Sequence, residues 1–355
     1  MAVATVAYAT REAVKGALDV KTTARSDTQV DDAIAAATDS VEGFLHRVFY
    51  PQTVTRYFDW PNFQGTYPWK NYLDASELAD VTVTVPVVTS GGNVIPAANL
   101  LWGPWNYAPP YTKVEINRSS SSSFGQGSTP QRDIAITGTF GYWIKTAPGG
   151  ALAAAMNDTT GTAATVTNSA AVGVGDQILI GSERMLVADK AMVSTGQTQQ
   201  SGLTTAAVND VALGVTDGTK YFGGELLLLD SERLLVVDVA GNTLTVKRGW
   251  DGSVAAAHSG ATIYAQRLLT VTRGDFGTTA ATHLNAAPVS RNLVPGLVRQ
   301  LTLAEAVVAV TLGPAAYATT QGSGAGKQSN VGAGVPDVRD RCYTRFGRKA
   351  RFRVV

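Results

Sequence analysis

The sequence has little cysteine, histidine or charge, and each shortage excludes a class of function. Its 355 residues include one cysteine, Cys342, and three histidines, His46, His258 and His283. These counts exclude an internal disulfide framework and a cysteine-rich zinc module, and they argue against a metal enzyme. Charged residues make up 16% of the chain and the formal net charge is +1, so no overall field indicates a nucleic-acid or membrane partner.

Long apolar runs are missing as well. No run reaches the roughly 18 apolar residues of a membrane-spanning helix, and the N-terminus lacks the basic residues that precede the apolar stretch of a secretory signal. Apolar residues still total 45%, which excludes a disordered chain, and 36 glycines and 14 prolines favour many short strands. The length exceeds the roughly 150 to 200 residues of a single hydrophobic core, so more than one domain is predicted.

Apolar residues with helical spacing predict a long helix between Ser26 and Pro51. Its buried stripe would comprise Val30, Ile34, Ala37, Val41, Leu45 and Val48. Ser26 and Gln29 fit a capping box, and Pro51 would end the helix. A shorter helix is predicted before it, capped by Thr10 and buried through Val14 and Leu18.

A later helix is predicted from Pro295 to Gly313-Pro314. Its buried face would comprise Leu297, Leu301, Ala304 and Val308. Between the helical segments the period changes to two, which is typical of half-buried strands. These strands are expected within residues 54–60, 81–88, 112–117 and 133–143. The serine-rich segment 119–131 is interpreted as a mobile hairpin tip.

A repeat lies in the glycine- and threonine-rich middle of the chain. Residues 175–189 (GDQILIGSERMLVAD) match 224–238, and residues 244–258 (LTVKRGWDGSVAAAH) match 269–283. A first half-motif, a complete motif and a second half-motif follow in that order, so one copy is predicted to be nested inside the other. Val187 should then pair with Val271 across the inner copy.

These patterns predict an α+β fold with a small helical core, a β-hairpin or sheet, and an inserted all-β domain built from the nested repeat. The expected boundaries are 1–149 for helices then strands, 150–291 for the β domain, 292–320 for the last helix, and 321–355 for a flexible linker and basic arm.

Few residues of the sequence are candidates for catalysis, and neither a catalytic residue nor a cofactor is predicted. His258 and His283 occupy equivalent repeat positions and could converge as metal ligands. The favoured interpretation is that each caps a strand and turn with a side-chain hydrogen bond. GSGAGKQS (residues 322–329) lacks the spacing of a phosphate-binding loop, and the Arg273-Gly274-Asp275 tripeptide corresponds to Arg248-Gly249-Trp250, a structural turn.

The C-terminal segment is the one strongly charged cluster. Its seven cations and two acids contribute +5, which leaves about −4 for the rest of the chain. An extended arm that docks on a protein or on DNA phosphates is one hypothesis, with a protein favoured because the aromatic residues require burial, and a solvated terminus is the other. The candidate partner-binding residues are Arg339, Arg341, Tyr343, Arg345, Phe346, Arg348, Lys349, Arg351, Phe352 and Arg353.

Four segments together resemble the head-to-tail adaptor, or connector, proteins of long-tailed double-stranded DNA bacteriophages. They are the D-x-x-I-x-x-A pattern from Asp31 to Ala37, VEGFLHRVFYP (41–51), ITGTFGYW (136–143) and VPGLVRQLTLAEAVVA (294–309). The resemblance covers about residues 8–146 and 293–312, and the middle region resembles β-modules of phage structural proteins. Family members are usually shorter, so the insertion departs from the family pattern.

The resemblance implies a structural virion protein, assembled in the host cytoplasm, that forms a homo-oligomeric ring of twelve copies at the head-to-tail joint. Such a ring would contact the portal protein and a stopper or tail-terminator protein, surround the double-stranded DNA in the channel, and have no membrane partner. The two long helices are expected to pack together and to carry most of the subunit contacts. The segments 119–131 and 335–355 are expected to order only in the particle. A tail-completion or head-decoration protein and a carbohydrate-binding or adhesin β-module are the alternatives.

Overall fold

The computed structural model describes residues 5–19, 25–60, 67–73, 77–80, 85–106, 109–312 and 334–348. Within these ranges, helices and large antiparallel sheets form an α+β architecture, as the sequence predicted. The helices are α1 (Arg11–Ala17), α2 (Asp27–Leu45), α3 (Gly296–Leu312) and α4 (Val335–Phe346), and together they form the helical unit.

Helix α1 begins where the sequence predicted. Thr10 is the N-cap, and its Oγ1 accepts a hydrogen bond from the Ala13 N–H at 3.3 Å. Val14 is fully buried, while Leu18 follows the helix and packs at the edge of the same apolar cluster.

Helix α2 buries Val30, Ile34, Ala37, Val41 and Leu45, which confirms most of its predicted stripe. The capping-box prediction is wrong, since the Ser26 side chain makes no capping hydrogen bond. The predicted end at Pro51 is also wrong. His46 adopts a left-handed conformation with φ 53° and ends the helix after Leu45, so half-buried Val48 lies outside it.

Helix α3 follows its predicted range but buries a different face. Leu301 is fully buried as expected, whereas Leu297, Ala304 and Val308 are only half-buried. The other buried positions are Val298, Thr302, Ala306 and Val310. The buried face of α3 was predicted wrongly because the helix packs against both α2 and α4. Apolar residues therefore surround most of the helix, and no narrow apolar stripe marks a single buried face.

Helix α4 corrects the prediction of an extended or disordered arm after Gly334. Pro336 stands in the first turn, and Cys342 and Phe346 are buried against α2 and α3. Residues 313–333, including the predicted linker and the Gly313-Pro314 stop, and residues 349–355 lie outside the described residues.

Two sheets between α2 and residue 140 form the sandwich. The first contains β1 (Gln52–Phe58), β3 (Leu78–Asp80), β4 (Val87–Ser90), β5 (Asn93–Ile95) and β8 (Ile134–Phe140). The second contains β2 (Lys70–Tyr72), β6 (Leu100–Gly103) and β7 (Lys113–Ile116). One core fills the space between them, with Ile136 and Val88 from the first sheet and Val114 from the second. Strands β1, β7 and β8 confirm predicted strands, whereas residues 81–84 of another lie outside the described residues.

The serine-rich loop 119–131 is anchored on the sandwich, which corrects its interpretation as a mobile tip. Phe124 is buried in the sandwich core. The carboxylate of Asp133 accepts hydrogen bonds from the Gly125 and Gly127 N–H groups at 3.0 and 2.7 Å. Composition misled the sequence analysis because the anchoring groups, Asp133 and Ser90, lie outside the loop.

The remaining strands form one antiparallel structure of eleven strands, called here the large sheet. Residues 150–291 are all described and contain no α-helix. The strands are β9 (Thr146–Ala151), β10 (Ala163–Thr165), β11 (Gln177–Ile180), β12 (Glu183–Thr198), β13 (Ser201–Gly202), β14 (Ala212–Gly214), β15 (Leu226–Leu229), β16 (Glu232–Ala240), β17 (Thr243–Lys247), β18 (Thr262–Thr272) and β19 (Pro288–Asn292).

The pairing of Val187 with Val271 that the repeat predicted is present. Strand β16 pairs with β17 through the tight turn at Gly241, and β12 pairs with β18 so that Val187 lies opposite Val271. One apolar cluster draws on residues 203–265, and a second draws on residues 152–187 and 269–289. Strands β9 and β19 pair with each other, so the two ends of the segment 150–291 are neighbours.

Candidate functional site

Three of the four segments on which the phage-connector resemblance depends meet in one hydrophobic cluster, and the fourth, Asp31 to Ala37, packs in a separate one. Val41 and Leu45 of α2, Trp143 after β8, and Val298 and Leu301 of α3 belong to one hydrophobic cluster. Val41, Leu45, Val298 and Leu301 have no exposed surface. The apolar faces of α2 and α3 therefore pack on each other in the core of the helical unit, as expected, and the part of each stripe that was expected to carry subunit contacts is covered within the chain.

Helix α4 places the basic candidate residues on one side of this cluster. Arg339 lies 3.5 Å from Glu305 of α3 and stacks 4.7 Å from the Phe44 ring centre. Arg341 and Arg345 are exposed. Arg341 reaches only Asp337, one turn earlier, at 3.8 Å. These two arginines are thus available to a partner, whereas Arg339 already has partners in its own subunit.

The aromatic candidates of α4 divide in the same way. Tyr343 is 42% exposed and stacks on Phe44 with ring centres 5.2 Å apart. Phe346 is buried in the core, which corrects its assignment as a partner-binding residue. The carbonyl of Phe346 accepts a 2.6 Å hydrogen bond from Arg47, which also packs over the Tyr142 ring. Arg348 is half-buried. Lys349, Arg351, Phe352 and Arg353 lie outside the described residues.

Two buried glutamates organise the repeated segments of the large sheet. Glu232 has no exposed surface and accepts bonds from Arg248 Nε and Nη2 at 2.9 and 2.6 Å. It also accepts from the Gly249 and Ala256 N–H groups, both at 3.0 Å. His258 Nε2 lies 2.9 Å from the same carboxylate. One carboxylate thus ties a strand to the whole loop that follows β17.

The second glutamate repeats this arrangement in the outer copy. Glu183, also without exposed surface, accepts from Arg273 Nε and Nη2 at 2.8 and 2.9 Å, and its Oε2 lies 2.8 Å from His283 Nε2. The Gly274 and Ala281 N–H groups complete the set at 2.8 and 3.0 Å. These glutamates were not among the site residues predicted from the sequence. The identical Ser-Glu-Arg in both copies was the signal that pointed to them.

These contacts determine the charge state of each glutamate. Burial opposes ionisation, but the bonds from arginine, backbone N–H groups and histidine outweigh it and lower the pKa of Glu183 and Glu232 to about 2. Each histidine bonds its own glutamate, as the capping interpretation expected, and the two histidines belong to separate networks. Among the described residues, no group of three His, Cys, Asp or Glu side chains has an arrangement that could hold a metal ion. The arrangement holds loops in place.

The two networks differ at one position. His258 Nδ1 lies 2.7 Å from Asp230 Oδ2, so this histidine bridges two carboxylates. The repeat position equivalent to Asp230 is Gly181, which has no carboxylate. Asp230 is 63% exposed in its side chain, so its bond to His258 is open to solvent.

A second group of charges joins the helical unit to the large sheet. Arg11, only 6% exposed, contacts Asp31 at 2.6 Å and Asp189 of β12 at 2.8 Å. Lys15 contacts Asp251 at 2.7 Å. Because these cations of α1 are paired with acids on both sides, the large sheet is fixed to the helices by partly desolvated ion pairs.

A pocket of about 300 Å³ opens beside the end of α2. It is lined by Glu42, His46, Arg47, Arg56 and Tyr142, among others. Arg47 is paired with Glu77, and Glu42 accepts a 2.5 Å hydrogen bond from the Tyr8 hydroxyl. Burial raises the pKa of Glu42. Two of the pocket's charged groups, Arg47 and Glu42, are thus already bonded within the chain.

Comparison with known proteins found no match to a family model, to a curated protein or to a solved structure. No helix within the described residues is long and apolar enough to cross a membrane.

Proposed function

We propose that this protein is a structural connector of a long-tailed double-stranded DNA bacteriophage. Twelve copies form a ring between the portal and the tail, extend the DNA channel and dock the tail or a stopper protein. The protein acts in the virion at the head-to-tail joint and catalyses no reaction.

The observation that carries this proposal is the convergence of the segments that resemble connectors. Residues 41–51, 136–143 and 294–309 are far apart in sequence, yet each contributes to the hydrophobic cluster around Val41 and Val298. Segments that resemble one family by chance would have no reason to share a core.

The arrangement of the insertion supports the same proposal. The segment 150–291 leaves and returns through the paired strands β9 and β19, so it adds to the connector-like part without interrupting it. We propose that this segment arose by duplication, with one copy inserted into the other. The two equivalent glutamate networks support a common origin, because five matching hydrogen-bond donors recur around each carboxylate.

Purified full-length chain tests the assembly part of the proposal. Mass photometry over a range of concentrations, followed by negative-stain electron microscopy, should show closed rings of about twelve copies, alone or on heads that carry the portal. A chain that stays monomeric under both conditions would overturn the proposal.

Particle production tests the functional part. Infection by a phage that lacks this chain should yield DNA-filled heads and free tails that do not join, and supplying the chain in trans should restore joined particles. Joined, infectious particles without the chain would also overturn the proposal.

A further inference from the structure

Exposed apolar side chains are concentrated on the sandwich. Of the fourteen large hydrophobic residues that are exposed in the described ranges, eight lie on or beside its two sheets. The eight are Tyr57, Tyr67, Tyr72, Val85, Val87, Val94, Leu101 and Trp105. The other six are distributed over the long segment 208–284 and α4. Concentration in one small unit indicates surfaces that are covered in the assembled protein.

One outer surface of the sandwich, called here the threonine face, is built from uncharged residues of β1, β4, β5 and β8, and the guanidinium of exposed Arg132 lies 4.4 Å over its Tyr57 ring. It consists of Thr55 and Tyr57 of β1, Ala135 and Thr137 of β8, Val87 and Thr89 of β4, and Val94 of β5. These residues point outward because the alternate residues, such as Val54, Ile136 and Val88, enter the core. The Thr55 and Thr137 hydroxyls bond across the strands at 2.7 Å.

The opposite outer surface, called here the aromatic face, belongs to the second sheet. Strand alternation places Lys70, Tyr72, Leu101, Lys113 and Glu115 on it, while Val114 and Trp102 point into the core. Tyr67 and Trp105 flank the strands and are 51% and 61% exposed. Exposed tyrosine and tryptophan are the residue types that contribute most to protein interfaces.

The cations of the aromatic face already have partners. Glu115 lies 2.9 Å from Lys113 Nζ and 3.2 Å from Lys70 Nζ, and this pairing lowers the pKa of Glu115 against its burial. Lys113 also sits 4.4 Å over the Trp105 ring, and Lys70 sits 4.9 Å over the Tyr67 ring. An uncharged surface can therefore cover this face without leaving these lysines unpaired.

We infer that the aromatic face of one subunit packs on the threonine face of the next copy. This inference rests on the proposed ring. A closed ring uses two different surfaces of each subunit, and in a ring of twelve successive copies are rotated by only about 30°, so those surfaces lie on nearly opposite sides. The two faces of the sandwich meet this requirement because one core separates them.

The size and chemistry of the two faces favour another copy as the occupant. Taking about 200 Å² for a fully exposed aromatic side chain, Tyr57, Tyr67, Tyr72 and Trp105 alone offer roughly 400 Å² toward the 1,200 to 2,000 Å² of a stable interface. The seven residues of the threonine face include no acid that an interface built on the lysines would need, and Glu115 compensates one of the two lysine charges. The contacts would therefore come from the aromatic, aliphatic and threonine side chains of the two faces and not from ion pairs.

Lysine substitutions test this interface. Val87→Lys on the threonine face and Leu101→Lys on the aromatic face should each lower the fraction of chain in rings at least tenfold, because each buries an unpaired charge. Val237→Lys is the matched control, since Val237 is a 51% exposed strand valine of β16, compared with 49% for Val87. Leu284→Lys serves the same purpose for Leu101. All four variants should keep the circular dichroism and urea midpoint of the wild type, because the substituted side chains are exposed.

Cross-linking identifies the partner. Native Cys342 has no exposed surface, so Val87→Cys and Leu101→Cys introduce the only accessible thiols among the described residues. With a short bismaleimide, a mixture of the two variants should give linked dimers, and the double variant should give a ladder of higher oligomers. Neither single variant should link to itself, because the contact is between different faces.

The outcomes separate this inference from the function on which it rests. If wild-type chain forms no ring, alone or on heads, the proposed function fails. If wild-type rings form and Val87→Lys and Leu101→Lys rings are normal, the connector function stands and the interface is wrong. Self-linking of either single cysteine variant, or normal variant rings that no longer attach to the tail, would likewise overturn the interface.

Discussion

Removing the charge of Glu232 should strongly destabilise the inner copy of the large sheet. Glu232→Gln keeps the shape of the side chain but leaves Arg248, whose side chain has no exposed surface, without its counter-ion. Breaking a buried pair in this way costs about 3 to 5 kcal/mol. The lowered pKa of Glu232 gives a second value for this free energy. A fall from the ordinary 4.5 to about 2 corresponds to about 3 kcal/mol of stabilisation by the ionised form.

The same pKa determines the pH dependence. Because folding lowers the pKa of Glu232, its contribution is complete above the unfolded value near 4.5 and is lost as the pH falls toward about 2. Wild-type protein should therefore lose stability over this range, and Glu232→Gln should show a smaller loss. Glu183→Gln should behave alike, since the pKa of Glu183 is lowered by the same kinds of donors.

Urea unfolding at pH 7 measures the size of the effect, and hydrogen exchange with mass spectrometry locates it. Glu232→Gln should increase exchange in residues 248–258, and Glu183→Gln in residues 273–283. Asp238→Asn is the control, because Asp238 is exposed and its side chain has no hydrogen-bond or ion-pair partner among the described residues. A loss below about 1 kcal/mol for Glu232→Gln, or equal exchange in both loops, would refute the reasoning.

Two further substitutions probe other parts of the fold. Burial raises the pKa of Asp176 to about 6, so its ionisation costs stability as the pH rises through that value, and Asp176→Asn should stabilise the protein at pH 7 by up to about 3 kcal/mol but not at pH 4. An equal gain in the urea midpoint at pH 7 and at pH 4 would contradict the raised pKa of Asp176. Gly277→Ala should lower the thermal midpoint, since its Cβ would meet the Thr53 carbonyl at 1.7 Å, whereas Gly260→Ala, also at positive φ but in open space, should cost less. Equal losses of thermal midpoint in Gly277→Ala and Gly260→Ala would contradict a clash with the Thr53 carbonyl.

The sequence predicted the elements whose signals are local. Helix α2 was found because Val30, Ile34, Ala37, Val41 and Leu45 lie on one side of the helix, where they are buried in two neighbouring hydrophobic clusters. Its end was missed because a histidine, without a following glycine, adopts the left-handed conformation. A boundary set by one backbone angle at His46 leaves no residue-type signal.

Helix α4 was missed although a signal was present. Val335, Val338, Cys342 and Phe346 recur with helical spacing, and Pro336 suits a first turn. The dense positive charge and the preceding glycine-rich segment are more typical of an extended arm, and they obscure this spacing in the sequence. The charged residues lie on the solvent side of a helix that buries only its narrow apolar stripe.

The repeat was the strongest long-range signal, because matching sequences require matching partners. It predicted the contact of Val187 with Val271 across nearly the whole inner copy. It could not reveal how Glu183 and Glu232 gather their donors, since those bonds depend on backbone N–H groups whose positions follow only from the folded loops. The two faces of the sandwich could likewise not be predicted from the sequence. The packing of the two sheets decides which alternate residues of each strand face outward.

A cryo-electron microscopy reconstruction of the phage particle that contains this chain tests the connector proposal most directly. We predict that the helical unit, the sandwich and the large sheet fit density in a ring of twelve copies around the DNA axis, between the portal and the tail. Density for this fold in the icosahedral shell, in a tail fibre or nowhere in the particle would contradict it.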